Sequence, residues 1–80
     1  MKIREALVIR IEELCTEKGK NMNQVAYDAG VHPSTVKSII NGNSKNPGIV
    51  TVKKICDGFE MQFPEFCSDG VFVDLEQEID

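Results

Sequence analysis

The chain has no tryptophan, one histidine and one tyrosine in 80 residues, and no apolar run as long as a membrane span or a signal-peptide core. No membrane partner is therefore expected, and the lack of any address signal points to the cytoplasm. Paired cysteine spacing is lacking too. Cys15, Cys56 and Cys67 are odd in number and far apart, without the paired short spacing of a zinc site or a disulfide framework, so no metal is expected. Cys15 and Cys56 fall on apolar helical faces, where a reduced thiol acts as a small hydrophobe. A nucleophilic cysteine would need a base beside it, and His32 is the sole histidine. With no carboxylate pair, Ser/His/Asp set, glycine-rich phosphate loop or metal-ligand spacing, the sequence reads as neither an enzyme nor a cofactor carrier. Basic residues are missing from the C-terminal end. Residues 58–80 carry seven acids and no base, whereas residues 1–57 hold all nine Lys and Arg against six acids. The net charge of −4 thus belongs to the tail. A low pI ordinarily argues against nucleic-acid binding, but a mildly basic domain with an acidic end is compatible with it.

What the chain does have is helical periodicity. Ile3, Leu7, Ile11 and Leu14, with Val8 and Cys15 beside them, form one apolar stripe, while Arg4, Glu5, Glu12, Glu13 and Glu17 face water. Gly19-Lys20 ends that helix, and Asn21 is placed as the N-cap of the next. Val25, Ala26 and Ala29 make an inward face, with Asn23, Gln24, Tyr27 and Asp28 on the outside. Gly30 then supplies a left-handed turn, and His32-Pro33 restarts a helix whose inward residues are Val36, Ile39 and Ile40. Two helices this short cross closely only through small residues, and Ala26 stands at the crossing: the geometry is a helix-turn-helix. A loop rich in turn formers follows, and then Ile49, Val52, Ile55, Cys56 and Phe59 make another stripe, with Met61, Phe63 and Phe66 as a lid on the core. The spacing predicts an all-α fold with helices over residues 3–18, 22–29, 33–41, 49–58 and 63–68, in a domain of residues 1–68 followed by an acidic tail of residues 69–80. The expected core is Leu7, Ile11, Leu14, Val25, Ala26, Val36, Ile39, Val52, Ile55 and Phe66. In the tail, Val71, Val73 and Leu75 alternate as an edge strand would; a disordered tail is the other reading.

On these residues the chain resembles the phage-repressor (Cro and lambda-repressor) type of helix-turn-helix, the XRE family. Ala26, Gly30, Val36 and Ile39 stand where that family's unit has its small residue, its turn glycine and two buried apolar residues. NGNSKNPGIVTVKKICDGF looks like its loop and fourth helix, and MQFPEF like its short fifth helix, so residues 3–68 are covered. The resemblance implies a five-helix lambda-repressor-like domain. It also implies sequence-specific binding of double-stranded DNA by a small prokaryotic or phage-type transcription regulator, a repressor, with the helix at 33–41 in the major groove.

Side chains at the start of such a helix point into the groove, which makes His32, Ser34, Thr35, Lys37 and Ser38 the base-facing candidates. An N-cap role for His32 and a packed Thr35 are the alternatives. Phosphate contacts are expected from Asn21 and Met22, at the start of the preceding helix, and from Asn41, Asn43, Ser44 and Lys45 on the loop that follows. There are two departures from the family. Met22 stands where members often have a phosphate-touching Gln, leaving its backbone N–H, with Asn23 and Gln24 close by in sequence. Glu60 stands where members commonly have the glycine that ends the fourth helix, so Gly58 is expected to shift that end back. Eighty residues leave no length for a separate effector domain, and no small-molecule effector is evident. One unit reads only a few base pairs, so a homodimer is expected, with contacts from Phe63, Val71, Phe72, Val73 and Leu75. The competing function is a protein-interaction module of the same fold, antitoxin-like or anti-repressor, acting through the acidic tail.

Overall fold

Helix α1 (Ile3–Lys18) forms where its stripe predicts, and its two ends show why it starts and stops there. The computed structural model describes residues 1–79. Glu5 accepts the Lys2 N–H at 2.9 Å, satisfying an orphan donor of the first turn. Gly19, at φ +65°, reverses the chain so that the Lys20 N–H reaches the Cys15 carbonyl at 2.9 Å. Ala6, Leu7, Ile11 and Leu14 are buried. Ile3, at the open end of the stripe, is 52% exposed.

The remaining elements are α2 (Met22–Ala29), α3 (Pro33–Ile40), α4 (Ile49–Gly58), α5 (Phe63–Cys67) and a 3-10 turn at Gly70–Phe72. Asn41 and Ser68, expected as the last residues of α3 and α5, are their C-caps instead, a shift of one residue at a fraying end. No strand occurs among the described residues. The alternation of Val71, Val73 and Leu75 gives no strand because Asp69 caps the Val71 N–H at 2.9 Å and coils the chain there. Phe72 then lies 5.9 Å from the Phe66 ring. Further on, the Glu76 N–H donates to the Met1 carbonyl at 2.9 Å and the Glu76 carboxylate meets the terminal ammonium at 3.2 Å, so the tail runs back to the start of α1.

The core joins Leu7, Ile11 and Leu14 of α1 to Val25, Ile39, Ile55, Cys56, Phe59 and Phe66. Val52, expected within it, is half-buried at its edge. Helix α2 packs against both α3 and α4. Its crossing with α4 is close enough to need a glycine: a Cβ on Gly58 would lie 3.0 Å from the Ala29 nitrogen and 3.1 Å from the Val25 oxygen. Helix α4 ends at Gly58, as its expected bounds have it, but Gly58 is there as a contact residue, and the expectation that it takes over the turn from position 60 is corrected. The turn is made by Glu60, at φ +59°. The Glu60 N–H bonds to the Asp57 carbonyl at 2.9 Å and the Met61 N–H to the Cys56 carbonyl at 3.1 Å, the two bonds of a left-handed helix stop.

Arg10 is the residue that sequence patterning leaves without a place. It is buried beside the apolar face of α1. Its Nε donates to the Phe66 carbonyl at 2.9 Å, Nη2 to the Glu65 carbonyl at 3.4 Å and Nη1 to the Asp69 carboxylate at 3.2 Å, and the guanidinium carbon sits 5.5 Å from the Phe66 ring centre. A five-residue helix does not persist alone. Arg10 satisfies the last carbonyls of α5, supplies a cation to its negative end and holds it on α1.

Candidate nucleic-acid interface

Residues 21–44 build one outward surface from three local devices. Asn21 Oδ1 accepts the Gln24 N–H at 2.8 Å, which starts α2. The first turn of α2 contains no acid, so the N–H groups of Met22 and Asn23 face solvent at a positive helix end. Gly30, at φ +72°, then lets the Val31 N–H reach the Ala26 carbonyl at 3.0 Å. His32 caps α3, and Pro33 takes the first helical position, where its missing N–H costs nothing.

The His32 cap also defines a donor. Nδ1 accepts the Ser34 N–H at 3.1 Å and lies 2.8 Å from Ser34 Oγ. With Nδ1 accepting, the neutral ring carries its proton on Nε2, so the outer edge of His32 offers an N–H to an acceptor such as a guanine or adenine N7. The helical period then sorts the rest of α3. Val36 and Ile39 are buried, Ile40 half-buried, and the opposite face carries Ser34, Lys37, Ser38 and the cap Asn41 at spacings of three and four. Ser34, Lys37 and Asn41 are exposed, while Ser38 is half-buried. Thr35 is half-buried at the flank of that stripe, between the outward and inward faces.

At the far end of α3 the chain folds back on itself. The Ser44 N–H donates to the Ser38 carbonyl at 2.9 Å, and Gly42, at φ +80°, makes the reversal. This brings Ser44 against α3 and leaves Asn41, Asn43 and Lys45 exposed around the helix end. Between Asp28 and Asp57 the sequence has no acid and four lysines, Lys37, Lys45, Lys53 and Lys54. A continuous stretch from the turn to the end of α4 is therefore positive, though Lys53 is paired with Asp57 at 2.6 Å.

Gln24 does not replace the glutamine missing at position 22, because its Nε2 donates to Asp28 at 3.1 Å. Lys20 bonds to the other Asp28 oxygen and to the Gly58 carbonyl, both at 2.8 Å, tying α2 to the end of α4. These hydrogen bonds, from Lys20 first and Gln24 second, hold the Asp28 carboxyl below its ordinary value. Tyr27 is a residue that sequence reasoning left on the outer surface without a role. It is 83% exposed and lies one turn from Asn23 on the same face of α2. The thiols stand apart from this surface. Burial, with Cys67 and Asp57 adding to it, pushes the Cys56 thiol up to about 11, and burial with Glu12 raises Cys15. Neither is primed as a nucleophile.

A family model for the Cro/C1-type HTH DNA-binding domain matches residues 10–69, three quarters of the chain. No match was found among curated proteins or solved structures.

Proposed function

Because the chain belongs to the family of Cro/C1-type helix-turn-helix DNA-binding domains, we propose that it is a sequence-specific repressor that lays α3 in the major groove of double-stranded DNA. His32, Ser34, Lys37 and Ser38, with Thr35 at the flank, read base edges. Asn21 and Met22 at the start of α2, and Asn41, Asn43, Ser44 and Lys45 beyond α3, hold phosphates on either side. The observation that carries this reading is the polar outward stripe of α3, set by its buried Val36 and Ile39, within a stretch that has no acid from residue 29 to residue 56. Serine and threonine bond to several bases, so selectivity per unit is modest, and a homodimer on half-sites one helical turn apart supplies the rest. Repression then needs nothing beyond occupancy of the site.

Selection of bound sequences from a random DNA pool at two salt concentrations tests this reading. The expected result is a twofold-symmetric motif. Ser38→Ala should change the base preferred at one position. Lys45→Ala should weaken binding to every sequence and reduce the salt slope by roughly one. Equal losses on all sequences for both variants would remove the base-reading role. Failure to select any motif would favour a protein partner for this fold.

A further inference from the structure

A cavity of about 490 Å³ opens between the start of α1, the loop entering α4, the helix α5 and the tail. Its volume lies within the range of small-ligand sites, roughly 300–1,000 Å³. The inner walls are Leu7, Val52, Phe63, Phe66, Phe72 and Leu75, all buried or half-buried and all apolar. The exposed rim is different in kind. It carries Arg4 and Lys45 beside Ile3 and Ile49, the latter 71% exposed. Arg10, Lys20 and Lys53 are each paired with a carboxylate, but Arg4 and Lys45 make no ion pair among the described residues.

Helix α4 also begins at this rim. Its N-cap, Gly48, has no side chain to bond the first N–H groups, and its first turn holds no acid. The first hydrogen bond of the helix is made by Val52, to the Gly48 carbonyl at 3.1 Å. The N–H groups of residues 49–51 are therefore left to an outside acceptor. An apolar chamber with two cations that have no ion pair among the described residues, and an uncapped helix start at its mouth, has the polarity of one ligand class.

We propose that this cavity binds a straight-chain alkyl carboxylate of medium length. The chain lies against Leu7, Val52 and Phe66, and the carboxylate sits between Arg4, Lys45 and the start of α4. Phe63, Phe72 and Leu75, expected from the sequence as dimer contacts, line this chamber. A second copy is nevertheless its poorer occupant, because a twofold contact would gather both sets of Arg4 and Lys45 into one interface; the homodimer proposed above then pairs through another face. Sequence reading shows no effector because the lining is drawn from residues scattered between positions 3 and 75. Occupancy engages Lys45, so a loss of DNA affinity on adding ligand rests on the phosphate role proposed above. Binding itself does not.

Calorimetric titration of the full chain, without DNA, tests the site with octanoate, decanoate and 1-octanol. Each buried CH₂ is worth about fourfold in affinity, so decanoate should bind about fifteenfold tighter than octanoate at a single saturable site. Octanol should bind more weakly than octanoate. Ile49→Glu sets a carboxylate on the exposed rim, and Arg4→Gln removes a surface cation. Each should weaken decanoate at least tenfold with an unchanged circular dichroism spectrum. If Ile49→Glu does not fold, Arg4→Gln carries the comparison. The proposal is overturned if no saturable binding appears, if octanol matches octanoate, or if neither variant weakens decanoate. It is also overturned if sedimentation shows a dimer that Ile49→Glu dissociates while alkyl carboxylates leave the chain untouched, for then a second copy fills the groove.

Discussion

Replacing Gly58 by alanine should destabilise this domain even though alanine is the better helix former. On propensity alone the change, within the last turn of α4, would stabilise by up to about 1 kcal/mol. Packing opposes it. The new Cβ would stand 3.0 Å from the Ala29 nitrogen, 3.1 Å from the Ala29 Cβ and 3.1 Å from the Val25 oxygen. Two of these are backbone atoms of α2 that cannot rotate aside, so α4 has to lift off α2 and loosen the buried Ile55 and Phe59 behind it. Overpacking of this kind costs about 1–3 kcal/mol; taking about 1 kcal/mol of propensity gain from the middle of that range leaves a net loss of roughly 1 kcal/mol, and at most about 2. Glu60→Gly should act in the opposite direction. Glu60 holds φ +59° at the helix stop, and a glycine there relieves about 1 kcal/mol of left-handed strain. Urea unfolding at one fixed protein concentration measures both, with thermal midpoints expected to move by roughly 4–8 °C per kcal/mol. A Gly58→Ala variant as stable as the parent would refute the close crossing. A destabilised Glu60→Gly would mean that the left-handed residue lies elsewhere.

Arg10→Met should cost about 2–4 kcal/mol, because it strands the Phe66 carbonyl and leaves Asp69 without its cation, although the Glu65 carbonyl keeps the Ser68 hydroxyl at 2.8 Å. Hydrogen exchange should show α5 amides opening before those of α2, and uniform loss across the domain would count against the clamp. Acid unfolding should report Asp28. Its folded-state value lies below the ordinary 3.8, so its contribution is complete above pH 3.8 and disappears as pH falls through the lowered value. Asp28→Asn should flatten that part of the acid curve, and an unchanged curve would show that the Lys20 and Gln24 bonds add nothing. Thiol labelling followed by mass spectrometry should find exposed Cys67 modified first. Cys56, buried and pushed up to about 11, should react only on unfolding, and equal native rates for the two would contradict its burial.

The proposed reading surface was legible in the sequence wherever its geometry is local. Asn21, Gly30 and His32-Pro33 act through hydrogen bonds to residues two to five positions away and through the sterics of φ, so their residue types announce the helix ends. Once α3 starts at Pro33, the helical period alone turns Ser34, Lys37 and Ser38 away from Val36 and Ile39. The N-cap role of His32, one of two readings of that residue in the sequence, is the one its bond to the Ser34 N–H bears out; which ring nitrogen accepts is set by geometry that no pattern of residue types carries.

Sequence by itself determined the helices, their order, the helix-turn-helix register and the side of α3 that faces out, since each depends on near neighbours and on polarity at a fixed period. Tertiary structure alone decided which glycine is a contact and which position turns. Gly58 and Glu60 differ in role only because α2 crosses α4 at Gly58. It also decided the place of Arg10, whose partners Glu65, Phe66 and Asp69 lie 55 or more residues along the chain. The same holds for the tail, where Phe72 and Leu75 close an apolar chamber instead of alternating as a strand. A charged residue or a glycine carries no local mark of a partner so distant. Where such residues end up follows from how the helices meet.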